Sequence, residues 1–396
     1  MKQLLYVTSS IMLAVSGSIA FAQNYTQTNL VSNTSGIAPV TDPQLVNSWG
    51  IARTSSGVWW VSDKVTGLAT LYNGSGQKQT LVVTIPGAAV ENGTATKGSP
   101  TGVISNASPT DFLLAPGKQA NFVFTTLDGT IAAWNPGVAL ERGQAAPSTH
   151  AITVAKGAKG SGYTGLTTAF IDNQRYLYAA NFKEGRVDVF NNAFHPVTLH
   201  KENFDSHALN PEAGPFQDDF ISQDFAPFNV QTIGNDIVVT YAFRGEGQQL
   251  EVDGPGLGFV DLYNSKGELL LRFEHGDWLN APWGVALAPL DFGRFSHHLL
   301  VGQFAGGGTT ESSGLIAAYD LTTGKFDGLL QDAAGQPLVI NGIWSLSPGN
   351  VSPNNYDPAG APAAELYFSA GPNNATAGLF GYLTPVTTQL IQGNNQ

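Results

Sequence analysis

This sequence predicts an all-β fold, a six-bladed β-propeller of four-stranded blades, on three observations. A strand motif restarts six times, as NSWGIA, SPTGVI, YTGLTT, PFNVQT, APWGVA and NGIWSL. Its anchors Trp49, Thr101, Thr164, Phe228, Trp283 and Trp344 are separated by 52, 63, 64, 55 and 61 residues, the spacing of propeller blades with generous loops. Each interval then repeats one order of strands, and the composition of 46 Gly, 22 Pro and only 12% charged residues suits many short strands and turns better than long surface helices.

The second strands read VWWVSD, NFVFTT, YLYAAN, IVVTYAF, LLVGQF and LYFSAG, and the third GLATLYN, GTIAAWN, GRVDVFN, GFVDLYN, GLIAAYD and GLFGYLT. Their β-branched and aromatic residues mark strands, and the Gly and Asn between them mark turns. A fourth strand follows in five copies: TLVVTI, HAITVA, PVTLH, ELLLRF and FDGLLQD. The sixth copy lacks one, while TNLVSN at 28–33 stands unassigned. This N-terminal strand is expected to complete the last blade and close the ring, leaving no unpaired edge.

The chain divides into a secretory signal peptide over 1–22, one propeller domain over 23–388 and a polar C-terminal tail over 389–396. Lys2, the apolar stretch from Ile11 to Val15 and Ala20-Phe21-Ala22 have the order of a signal with its A-x-A cleavage site. Export to the periplasm or the exterior is expected, with no membrane span, since no later apolar run approaches the roughly 20 residues one needs. Without cysteine the fold must rest on its core. A formal charge of -12 disfavours nucleic acid as a partner, and a monomer is expected.

The combination DPQLVNSWGIA, SPTGV, LDGTIAAWNPG, LYAANF with VDVFN, APFNVQ, GFVDLYN, LNAPWGVALAP with LLVGQF, and LYFSAGPN with GLFGYL resembles a family of exported, largely uncharacterised six-bladed propellers of the TolB-like type. The resemblance covers nearly the whole of 23–388 and implies fold and export; it implies no reaction. RGEGQQLEVDGPGLG in blade four and NPEAGPFQDDFISQDF before APFNV depart from the family pattern, so ligand preference at those loops is expected to differ.

In a propeller the loops entering first strands and those joining second to third strands share one face around the channel. That places Asn47, Asn181, Arg244, Asn280, Gln303 and Asn341 together as candidate ligand-binding residues. Asp63 and Asn280 are the candidate metal ligands, because Ca²⁺ takes six to eight oxygens from carboxylates, amides and water. Similar six-bladed hydrolases of the regucalcin and gluconolactonase type hold a metal with Asn, Asp and Glu. Each Asn is equally an ordinary turn residue. Asp63, Glu246 and Asp253 are the candidate general bases. No haem, nucleotide or zinc is expected: His297-His298 would point to opposite faces of a strand, and GQFAGGGTTESSG lacks the terminal Lys of a phosphate loop. Two functions stay open. One is a face binding a small polar molecule, Ca-dependent and lactonase-like or lyase-like; the other is a non-catalytic scaffold recognising protein or glycan.

Overall fold

The computed structural model describes residues 24–91, 94–140, 143, 145–201, 209, 213–245, 250–305, 314–349 and 365–386. The leader, the polar tail and Glu246 lie outside these described residues. Six sheets stand in a ring. Blade one is built from Ser48–Ala52, Trp59–Asp63, Leu68–Tyr72 and Val83–Thr84, blade two from Pro100–Ser105, Phe122–Thr126, Thr130–Trp134 and Ile152–Lys156, and blade three from Tyr163–Ile171, Gln174–Asn181, Arg186–Asn191 and Pro196–Val197. Blade four takes Phe225–Ile233, Asp236–Phe243, Gly258–Tyr263 and Leu269–Arg272, and blade five Pro282–Leu287, Leu299–Gln303, Ile316–Tyr319 and Phe326–Leu329. The fourth strands are shorter than their sequence runs, as befits strands at a solvent-facing edge.

The last blade is closed by the N-terminus. Ile343–Pro348, Leu366–Ala370 and Leu379–Pro385 are followed in the sheet by Tyr25–Ser32, antiparallel with Tyr25 opposite Pro385 and Ser32 opposite Leu379. Val40–Thr41 adds a short parallel strand outside it, Val31 opposite Val40. Tyr25 locks the closure: its ring stacks on Phe292 of blade five at 4.5 Å and its hydroxyl donates to the Phe292 carbonyl at 2.9 Å.

The restarting motif has a structural reason. In all six blades the pairing of first with second strand slips at the anchor: between Ser48 and Ile51, opposite the Phe124/Thr126 step, between Tyr163 and Gly165, Pro227 and Asn229, Pro282 and Gly284, and Ile343 and Leu346. A bulge re-aims the extra residue out of the pleat. The glycines beside the anchors let neighbouring first strands touch: a Cβ on Gly50 would meet the Thr101 carbonyl, and one on Gly284 the Trp344 carbonyl, each at 2.5 Å. Between blades, alternate residues of each strand interdigitate, as Trp59 and Val61 do with Tyr367 and Phe380.

Candidate functional site

Four of the six re-aimed anchors are large, and they converge. Trp49, Phe228, Trp283 and Trp344 form one buried cluster with Phe182 and Phe304. Trp344 lies between Trp49 and Phe304, stacked at 3.7 and 4.0 Å. The two small anchors make room: the Trp283 indole reaches past blade four to donate to the Thr164 carbonyl at 3.0 Å, and Thr101 bonds the Tyr163 carbonyl at 2.8 Å. The channel is thus plugged at its loop-face end. Leu127, Phe182 and Phe304, each the residue directly after a second strand, complete the plug. Apolar residues at those turns are the functional feature that the motif reading missed; the signal was an apolar side chain following Thr126, Asn181 and Gln303.

The polar residues stand around this plug with most of their amide groups committed. Asn47, 1% exposed, accepts the Trp344 indole N–H at 2.7 Å. Asn181 accepts from the Gly162 amide at 3.1 Å and donates to Ser161 and Asp188. Asn280 Oδ1 accepts from the Gly254 amide at 2.8 Å, and the Asn280 backbone N–H donates to Gln303 Oε1 at 3.0 Å. Arg244 donates to the Phe182 and Lys183 carbonyls at 3.3 and 2.6 Å. Asn341 is half-buried and its Oδ1 has no partner among the described residues. The structure brings Asn280 and Gln303 together beside the Asp253-Gly254 backbone at blades four and five, whereas Arg244 reaches to blade three; Asn47 and Asn341 stand at blades one and six, and Asn181 is held within blade three.

Asp63 is fully buried at the end of its strand, opposite Ser48. By strand alternation it shares a side with Trp59 and Val61, so its carboxyl lies between blades one and six rather than over the plug. Thr70 Oγ1 donates to Oδ2 at 2.7 Å, and Oδ1 has no partner. Burial, with the nearby Asp42 charge, raises its pKa well above the ordinary range. Asp42 is the ionised partner of this region: burial opposes its charge, but hydrogen bonds from Lys78 and Tyr72 outweigh it and lower its pKa. Asp63 and Asn280 share no partner. Among the described residues no three His, Asp or Glu side chains converge as a metal cluster.

A further carboxylate stands where the blade-four insertion crosses the loop face. Val252 is pinned by its amide to the Phe243 carbonyl at 2.9 Å, which holds Glu251 and Asp253 beside the rim. Glu251 is half-buried, and its Oε2 is sealed from solvent without a partner among the described residues. Burial raises its pKa to about 7; the Asp253 charge adds to the rise and Lys64, reaching from blade one, opposes it. Asp253 is itself exposed at its surface, yet its surroundings desolvate the carboxyl enough to raise it to about 6. A carboxyl poised near neutrality can accept and return a proton. Glu251 went unnoticed in the sequence because the insertion lies outside the repeat, and only the E-x-D spacing hinted at it.

No known family model matches this chain. Two uncharacterized proteins of Acanthamoeba polyphaga mimivirus are similar to it: one is 29% identical over 360 residues, 89% of this chain and 84% of its own, and the other 26% identical over 358 residues, 89% and 78%. Among solved structures, a Bacteroides thetaiotaomicron protein of unknown function matches with a TM-score of 0.50 at 12% identity, covering 91% of this chain and 76% of its own. The soluble aldose sugar dehydrogenase of Escherichia coli matches at 0.48 and 11%, covering 91% and 100%. Virginiamycin B lyase of Staphylococcus aureus matches at 0.42 and 9%, covering 91% and 99%. At these identities the likeness extends to the β-propeller fold alone.

Proposed function

We propose that the loop face binds a small polar molecule of the lactone or ester class and that Glu251 moves a proton in its ring opening or elimination. The observation that carries this reading is the half-buried Glu251 carboxyl on the loop face, with Oε2 unpartnered among the described residues, its pKa raised by burial to about 7, and Asp253 two residues on. As the base, Glu251 would take a proton from water or from the ligand; Lys64 would steady the negative charge that develops on oxygen. Arg244, Asn280 and Gln303 would fix the rim that the ligand meets. Asp63, between blades, has a supporting place in this reading, and Asp253 the place of a second proton carrier.

Calcium is the cation we propose for this face, with Glu251, Asp253 and Asn280 as the oxygens to test; no step above is routed through it. Export to the periplasm or exterior, as a monomer, belongs to the same proposal. The second reading, a recognition surface for protein or glycan, is favoured by Val65 on a turn and Val90 in the hairpin strand Pro86–Glu91, 58% and 61% exposed.

Thermal melts against a panel of lactones and cyclic esters test the proposal, because a ligand of the native state raises stability by mass action. A saturable rise is expected with at least one compound, weakened at least tenfold in affinity by Glu251→Gln. No stabilisation by any compound, or equal binding to the variant, overturns it.

A further inference from the structure

We propose that the opposite end of the channel is a second binding site, for an uncharged and mainly apolar small molecule. Below the aromatic plug the channel widens into a cavity of about 690 Å³ that opens among the turns joining first to second strands. That volume is in the range of sites for small organic ligands, roughly 300–1,000 Å³. Its wall is the first strands of all six blades, and its floor is Trp283 and Asn229.

The chemistry of the wall selects the ligand. Val103, Leu166, Val285 and Leu346 line it and are nearly closed to solvent. Several of the polar groups between them are turned to the protein, while Gln231 and Ser347 also line the wall, half-buried. The Thr167 and Thr232 hydroxyls meet at 2.8 Å, and Thr232 donates on to the Thr168 carbonyl at 2.7 Å. Ser345 donates to the Trp49 carbonyl and Ser105 to the Arg53 carbonyl, each at 2.9 Å. Asn229 donates to the Trp283 carbonyl at 2.7 Å. A polar ligand would lose its hydration here and gain few hydrogen bonds in return, which a desolvated polar group cannot offset.

An anionic ligand fares worse, since the acidic side chain of Asp291 stands exposed at the mouth. The lining cation, Arg53, is 6% exposed, and its guanidinium lies 5.1 Å over the Trp59 ring inside blade one, close enough to Glu365 to influence that carboxyl. At the mouth, by contrast, Leu287 and Leu290 are 37% and 56% exposed. Apolar side chains left in water at the lip of an apolar cavity are what an apolar ligand would cover. The close strand contacts at Gly50 and Gly284 hold the cavity open at fixed width, and walls reached only through the mouth admit a small molecule and exclude a folded partner.

Fluorescence titration with N-phenyl-1-naphthylamine, an uncharged dye that takes up tryptophan emission, tests this site, with the anionic 8-anilinonaphthalene-1-sulfonate in parallel. Saturable binding of one dye per chain is expected, with quenching of tryptophan emission because Trp283 forms the floor. The double variant Leu287→Glu/Leu290→Glu changes only surface side chains; its melting point should match that of the unaltered chain, while affinity for the uncharged dye falls at least tenfold. Glu251→Gln, on the other face, should leave dye binding unchanged. Three results would each overturn the proposal: no saturable binding, equal binding to the double variant, or tighter binding of the anionic dye.

Discussion

Replacing Glu251 with Gln should flatten the dependence of stability on pH between about 5 and 8. In the folded chain the carboxyl holds its proton up to about 7, against an ordinary value of 4.5. Below 4.5 both folded and unfolded chains are protonated, and the group favours neither. Between 4.5 and 7 only the folded chain keeps the proton, so stability falls as pH rises, by about 1.4 kcal/mol per pH unit. Above 7 the loss is complete, on the order of 3 kcal/mol. Gln cannot ionise, so Glu251→Gln avoids that loss. Urea unfolding of both chains at pH 5 and pH 8 reads the effect directly. Asp261, raised by burial to about 8, and Glu365, raised by burial to about 7, lower stability across the same range in both chains and cancel in the comparison. Parallel loss of stability in the two chains would refute the reasoning, since it would mean that Glu251 titrates alike folded and unfolded.

Other substitutions probe the ring and its plug. Trp344→Phe should cost about 1–3 kcal/mol more than Trp49→Phe in urea unfolding, because it strands the buried Asn47 Oδ1, whereas the Trp49 indole N–H has no partner to lose; equal losses would contradict the plug geometry. Tyr25→Ala, which removes the buried ring that seats the closing strand on Phe292, should cost about 3–5 kcal/mol, and a loss under about 1 kcal/mol would show that closure depends little on it. Asp63→Asn should raise the melting point once pH exceeds the ordinary carboxyl range, because the unfolded chain then gives up a proton that the sealed carboxyl keeps; a lowered melting point there would give Asp63 a compensating partner.

The ring was legible because every blade obeys local rules. VWWVSD and GLATLYN announce adjacent strands by residue type and turn chemistry alone, and TNLVSN could be placed in the last blade because the sixth copy lacked an outer strand. The site was less so. That Trp49, Trp283 and Trp344 meet in one cluster depends on a bulge at each anchor, and a bulge has no signature in a strand's alternation. The Asn residues before the first strands stand where the repeat predicts, yet which of them face a ligand depends on partners 20 to 300 residues away, such as Asn280 with Gly254 and Asn47 with Trp344. Glu251 acquires its character from burial under an insertion, which no local pattern encodes. The channel cavity is likewise invisible in sequence, since it is the space that six glycine-tight or small-residue strands leave between them.

Crystals of the chain soaked with a set of small polar fragments, lactones and hydroxy acids among them, would show whether Glu251 meets a ligand. Fragments are expected on the loop face within hydrogen-bonding reach of the half-buried Glu251 carboxyl, and none there in Glu251→Gln. Polar fragments gathered only in the channel cavity, or on the blade edges, would contradict that expectation.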